Sequence, residues 1–163
     1  MRNLSGLQSL LGLGVGSGIA IACALAFTSY RDTVIRRWPT GTALRAAPES
    51  IQEWLPGWIP EEARDVHAVH SIALNRTWAT LRLPHELLLQ LLTAQPVSAA
   101  QVNDNPGPPF WSGLPWPPEL RDLKIAPPRA GLRLLAGPDG RYCIATLPPS
   151  DTVYTWLCNW ASR

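Results

Sequence analysis

The chain has 163 residues, enough for one globular domain and an appendage, and a formal charge of +2 from 14 basic and 12 acidic residues. All of these charges except Arg2 lie after Tyr30 and form no basic run, which excludes nucleic acid as an expected partner. Seventeen prolines and eight tryptophans exceed ordinary usage, so the chain can bury aromatic area while holding much of its length in ordered loops.

The first element runs from Leu4 to Phe27 with no charged residue, about 24 positions, long enough to cross a bilayer as a helix. Its centre, LGLGVGSGIAIACALAF, carries glycine at 12, 14, 16 and 18. A phosphate loop would need a strand before the glycines and a helix after them, whereas one apolar character continues through both sides. The spacing predicts a retained transmembrane anchor over residues 1–30. Two alternatives stay open: a lipoprotein signal acylated at Cys23, and cleavage at Ala22-Cys23-Ala24 or Ala24-Leu25-Ala26. The run is longer than the usual apolar core of a signal peptide, and Ala20 stands where lipoprotein signals usually carry Leu.

On a helix, Gly14, Gly18, Ala22 and Ala26 form one row, and Gly12, Gly16, Ala20 and Ala24 form the next. Small residues in such rows let a second transmembrane helix approach closely, which makes Gly12, Gly14, Gly16, Gly18 and Ala22 the candidate helix-packing site. Tyr30 and Trp38 then bracket Arg31, Arg36 and Arg37, the composition of an interfacial belt. Those arginines and Arg45 outnumber Arg2, and by the positive-inside rule that count favours a cytoplasmic domain.

Residues 31–53, punctuated by Pro39, Gly41 and Pro48, read as a juxtamembrane linker, and 54–163 as the globular domain. Val66 to Leu74 alternates moderately and Trp78 to Leu83 more clearly, so a hairpin is predicted with Asn75-Arg76 at its turn. Pro84 opens HELLLQLLTAQ, a short amphipathic helix with Leu88, Leu91 and Leu92 on one face and Glu86 in its first turn. The stretch 96–129 holds more than half of the prolines together with Phe110, Trp111 and Trp116, the signature of a long loop that packs on something. Gly137-Pro138-Asp139-Gly140 turns a second hairpin between Gly131–Ala136 and Arg141–Leu147.

Pro148 to Asp151 reverses the chain again into Thr152–Trp160. With the turn centred between Ser150 and Asp151, Cys143 lies opposite Cys158, Ala145 opposite Trp156 and Leu147 opposite Tyr154. The two cysteines then face one side and can form a disulfide, whereas a one-residue slip would separate them. A disulfide requires an oxidising compartment, and this weighs against the arginine count in favour of a periplasmic domain.

Chemistry-bearing constellations are sparse. His67 and His70 point to opposite faces of a strand and meet at one metal only through a bulge, and His85 stands apart. Ser17, between two glycines, falls in the apolar run, and Ser112-Gly113 lacks a nucleophile-elbow context. Glu61-Glu62 and Asp65 read as a solvated turn, and Asn75-Arg76-Thr77 matches a glycosylation sequon. A hydrolase using His67 or His70 is the weakest reading; no catalytic residue, metal or cofactor is expected. Trp78 and Trp156 read as core, while Trp111 and Trp116, on the proline-rich loop, are the candidate partner-binding residues.

The segment WIPEEARDVHAVHSIALNRTWATLRLPHELLLQLL resembles a group of small, mostly uncharacterised bacterial membrane-anchored or lipoprotein domains. Pro60, Ala63, Asp65, Val66, Tyr154 and Trp156 match its pattern, over roughly Leu55 to Trp160. The resemblance implies an α+β domain on a membrane anchor and brings no catalytic residues. The expected fold is therefore α+β: a single N-terminal transmembrane helix, then a small domain with a four- to five-stranded antiparallel sheet and one packed helix. The expected function is a non-enzymatic accessory subunit of a larger bacterial inner-membrane complex, with respiratory and photosynthetic assemblies as candidates. Its partners would be integral membrane subunits and the lipid bilayer. The alternative is an envelope lipoprotein or ligand-binding module acylated at Cys23.

Overall fold

The computed structural model describes residues 32–94, 96, 108, 112–120, 132–147 and 149–158. Contacts divide the chain into two compact units between Thr33 and Val34. The predicted anchor, with Gly12, Gly14, Gly16, Gly18 and Ala22, lies outside the described residues. Among the described residues no helix is long and apolar enough to cross a membrane.

The described residues form an α+β unit built on six strands: β1 (Thr33–Thr40), β2 (Arg64–Ser71), β3 (Arg76–Arg82), β4 (Arg133–Ala136), β5 (Tyr142–Thr146) and β6 (Thr152–Leu157). Their order across the sheet is β1-β2-β3-β6-β5-β4, and the pairs β2–β3, β3–β6, β6–β5 and β5–β4 are antiparallel. Two three-stranded meanders thus meet at one seam, β3 against β6. Leu83 N–H donates to the Asp151 carbonyl at 3.1 Å where that seam begins, beside the pair Arg82–Thr152.

The extra strand is β1, drawn from the stretch read as linker. TVIRRWPT carries two arginines and a proline, which suit an outer strand: Pro gives up a ladder hydrogen bond only on its open side, and charge discourages pairing with another chain. Its alternation is visible in its packing, since Trp38 lies against the apolar cluster on one face of the sheet and Ile35 against the cluster on the other.

The β2–β3 hairpin turns over Ile72–Asn75, closed by Asn75 N–H on the Ile72 carbonyl at 3.2 Å, with Asn75 at φ 46°. The loop lies two residues earlier than Asn75-Arg76 would place it, because Arg76 already pairs with Ser71. A bulge at the start of β2, with Asp65 at φ 51°, sets Arg64–Arg82 and His67–Thr80 as partners. The β4–β5 hairpin follows its turn chemistry closely: Gly137 N–H meets the Tyr142 carbonyl at 2.7 Å, Gly140 takes φ 66°, and the Asp139 carboxylate accepts from Arg141 N–H at 3.0 Å.

Both faces of the sheet are covered, which is why β2 is buried from Val66 onward and alternates so weakly in sequence. On one face Val66, Ala68, Ala79, Leu81, Ile144 and Val153 pack beneath the segment between β1 and β2 and the helix α3 (His85–Leu91). The segment holds two short helices, α1 (Gly41–Arg45) and α2 (Glu49–Gln52), and contributes Leu44, Leu55 and Ile59. Thr40 caps α1, its hydroxyl accepting from Ala43 N–H at 3.1 Å. Gly41 follows because a Cβ there would collide with the Pro60 carbonyl oxygen. Leu88 and Leu91 of α3 turn inward as its periodicity predicts, and Leu92 lies partly buried beside them. On the opposite face Val69, Trp78, Cys143, Ala145 and Trp156 are closed over by Leu114, Trp116 and Leu120. Residues 112–120 of the proline-rich stretch therefore cover the second face of the sheet.

Candidate functional site

A cleft of about 550 Å³ opens on the face covered by Leu114 and Trp116, near the end of the sheet where β2 begins. Cross-strand register builds it: His67 lies opposite Thr80, and Arg82 opposite Thr152. Arg37 of β1, Asp65 at the bulge, and Gly113 and Pro115 of the covering loop complete the wall. Gly113, at φ 64°, keeps the loop in a conformation that side chains rarely adopt.

Two guanidinium groups line this cleft in different states. Arg82 is held by Asp151, its Nε 3.1 and 3.0 Å from the two carboxylate oxygens and a terminal nitrogen 2.8 Å from Oδ2, with Asp65 3.6 Å away. The fork holds the Asp151 carboxyl below the usual range, through the hydrogen bond first, and pushes Arg82 up. Arg37 is exposed and donates from Nε to His67 Nε2 at 3.4 Å. The accepting nitrogen must be unprotonated, so the contact selects the neutral imidazole. Burial and then the Arg37 charge lower the His67 pKa in the same direction. This arrangement presents an arginine backed by a neutral, buried histidine, which suits binding of an anionic group.

His70 lies on the opposite face. Its ring stacks on Trp54 with centroids 4.4 Å apart and planes within 8°, and its Nδ1 is 2.8 Å from the Thr77 hydroxyl. Trp54 is tied down in turn, because the Tyr142 hydroxyl donates to its carbonyl at 3.1 Å. The bulge precedes His67 rather than separating it from His70, so the two imidazoles stay on opposite faces, and His70 serves packing. Among the described residues no three His, Cys, Asp or Glu side chains converge as a metal site would require.

Both imidazoles are held below their ordinary pKa, chiefly by burial. The unfolded chain therefore binds more protons just below pH 6.5 than the folded one, and stability is complete above that value and lost as pH falls through the lowered folded values. The denaturation midpoint is expected to drop between pH 7.5 and 5.5, and His70→Gln to flatten that dependence. A midpoint equal at both pH values would contradict the assignment.

The cysteines come together as expected, but by a different register. Cys143 pairs with Trp156 and Ala145 with Tyr154, a two-residue displacement from the predicted alignment. A displacement of two preserves the face, so Cys143 and Cys158 lie diagonally, with Cα atoms 5.3 Å apart, and form a disulfide. The turn is closed earlier than predicted, by Ser150 N–H on the Leu147 carbonyl at 3.0 Å.

Trp116 is 5% exposed and meets Tyr154 and Trp156 edge-on, with centroids 5.6 and 5.7 Å away. Its ring closes the core of its own domain, and its buried indole N–H has no acceptor among the described residues. Trp111 lies outside the described residues. Asp65 is exposed beside Arg82, Glu61 and Glu62 are exposed ahead of β2, and Asn75 is exposed on its hairpin tip.

Arg37 is the site residue that sequence reading placed elsewhere, as one of a group of interfacial arginines. Its partner is 30 residues distant, and only the pairing of β1 with β2 joins them. A second, mainly apolar cleft of about 650 Å³ lies between α3 and the β4–β5 turn, lined by Trp58, Leu83, Leu87, Leu91 and Pro138. No protein-family model matches the chain, and neither a curated protein nor a solved structure matches it.

Proposed function

We propose that this chain is a non-enzymatic, single-pass accessory subunit of a larger bacterial membrane complex, with its sheet domain in the periplasm. The Cys143–Cys158 disulfide carries the reading, since such bonds persist in oxidising compartments, and here one closes a domain that follows an uncharged run long enough to span a bilayer. Arg31, Arg36, Arg37 and Arg45, all close to the apolar run, oppose this topology by the positive-inside rule, and we weigh the disulfide above them. Arg36 and Arg37 belong to β1, and Arg45 donates to the Gly57 and Ile59 carbonyls at 2.6 and 2.8 Å. Replacing Gly14 and Gly18 by Leu is expected to release the protein from its membrane partner in mild detergent; continued co-purification would oppose the reading.

The Arg37–His67 cleft favours a second reading, an envelope lipoprotein or ligand-binding module acylated at Cys23 that takes up a small anionic molecule. The intact mass separates the two: a full chain supports the subunit, whereas loss of the first 22 residues with added acyl mass supports the lipoprotein.

A further inference from the structure

The β2–β3 hairpin ends in an ordered apolar tip. Ile72 and Leu74 are 57% and 58% exposed although a hydrogen-bonded turn holds them, with Leu74 N–H 3.3 Å from the Ser71 hydroxyl and Asn75 N–H on the Ile72 carbonyl. Large aliphatic side chains at a fixed tip gain nothing from water.

The place of this tip in the fold suggests what covers it. Arg37 of β1 bonds His67, while the earlier Val34 and Arg36 line a narrow space with His70 and Thr77. The strand β1 therefore runs opposite to β2, and its first residues lie at the end of the sheet where β2 finishes and the tip projects. Between Phe27, the last residue of the apolar run, and Thr33, the first of β1, stand only Thr28 to Asp32. Six residue steps extend at most about 20 Å. The chain thus enters the sheet at the tip-bearing end through a short connection.

We propose that Ile72 and Leu74 insert into the headgroup and upper acyl layer of the bilayer that holds the N-terminal segment, so that the domain has a second contact with the lipid surface. This inference rests on the membrane-anchor reading above. Two aliphatic side chains would hold a free domain only weakly, but a tether this short raises their effective concentration at the surface to the millimolar range typical of short linkers. Arg76 and Arg141 stand at the same end of the sheet, with Asp32 and Asp139 as the acidic groups nearby in sequence.

The test uses the full chain with Cys23→Ser, reconstituted in vesicles of phosphatidylcholine and phosphatidylglycerol. A polarity-sensitive fluorophore is attached at Leu74→Cys, or at Glu62→Cys ahead of β2 as the reference. The expected result is a blue-shifted emission at position 74 and at least a two-fold quenching by lipids spin-labelled near the headgroup, with position 62 unquenched. Ile72→Asp in the same protein should abolish the quenching at 74. Protein that floats with the vesicles but shows equal, water-like emission at both positions overturns the lipid contact and leaves the anchor standing. Protein that fails to float overturns both. Emission at 74 that is water-like in vesicles but shielded in native membranes would overturn the lipid contact in favour of a protein partner.

Discussion

Trp78→Ala is expected to destabilise the domain by roughly 3 to 5 kcal/mol, the usual cost of deleting a buried aromatic side chain when its surroundings relax only in part. Trp78 is 1% exposed near the middle of the sheet, in the cross-strand row Val69, Trp78, Trp156 and Cys143. Each neighbour in that row packs in the same apolar cluster beneath Leu114 and Trp116. Removing the indole would leave a hole with rigid strands on both sides and little chance of collapse. Because a domain's whole stability is about 5–15 kcal/mol, the loss should be evident in urea denaturation followed by circular dichroism. A loss below about 1 kcal/mol would mean that the proline-rich cover can refill the space, which is inconsistent with the packing described.

Opening the disulfide should cost somewhat less. Cys143 and Cys158 are separated by 15 residues, and closing a loop of that length is worth about 3 kcal/mol in the chain-entropy account. In a domain of this size the melting temperature should fall by about 10 °C when both cysteines are changed to serine or when reductant is added. The loss should be incomplete, because Cys158 N–H also meets the Arg141 carbonyl at 2.9 Å and pins the end of β6 without the sulfurs. Equal melting temperatures with and without reductant would mean that the bond is not formed in the isolated protein. An extracytoplasmic domain would then lack the covalent bond that favours it.

Local chemistry made the β4–β5 hairpin legible, since Gly137-Pro138-Asp139-Gly140 supplies both the flexible positions and the carboxylate that the turn uses. The amphipathic helix was legible for the same kind of reason, its leucines recurring at helical spacing. The cystine pairing survived an error in register because strand faces repeat every two residues, so a slip of two changes partners but not sides. What sequence reading missed was long-range. The strand β1 resembled a linker because arginine and proline at a sheet edge look like loop residues until a neighbouring strand is known. The hairpin tip was displaced because Ile72 and Leu74 are apolar and yet exposed, against the pattern used to recognise strands. Trp116 looked available for a partner, but the sheet has two faces to bury and one α-helical layer covers only the first. Arg37 and His67 had no local signal to connect them.

The seam between the two meanders also sets an order of events during synthesis. The partner of β3 on that side is β6, and the fork that marks the start of their pairing joins Arg82 to Asp151 across 69 residues. At about 5–20 residues per second, the outer edge of β3 waits roughly 3 to 14 s for its partner to leave the ribosome. A sheet of β1, β2 and β3 formed in that interval would have one permanent edge, carrying arginine and proline, and one temporary edge whose residues Trp78 to Leu81 are apolar or small. Nascent chains stalled anywhere before Thr152 would expose that edge, so this protein is most open to self-association while its second half is still being made.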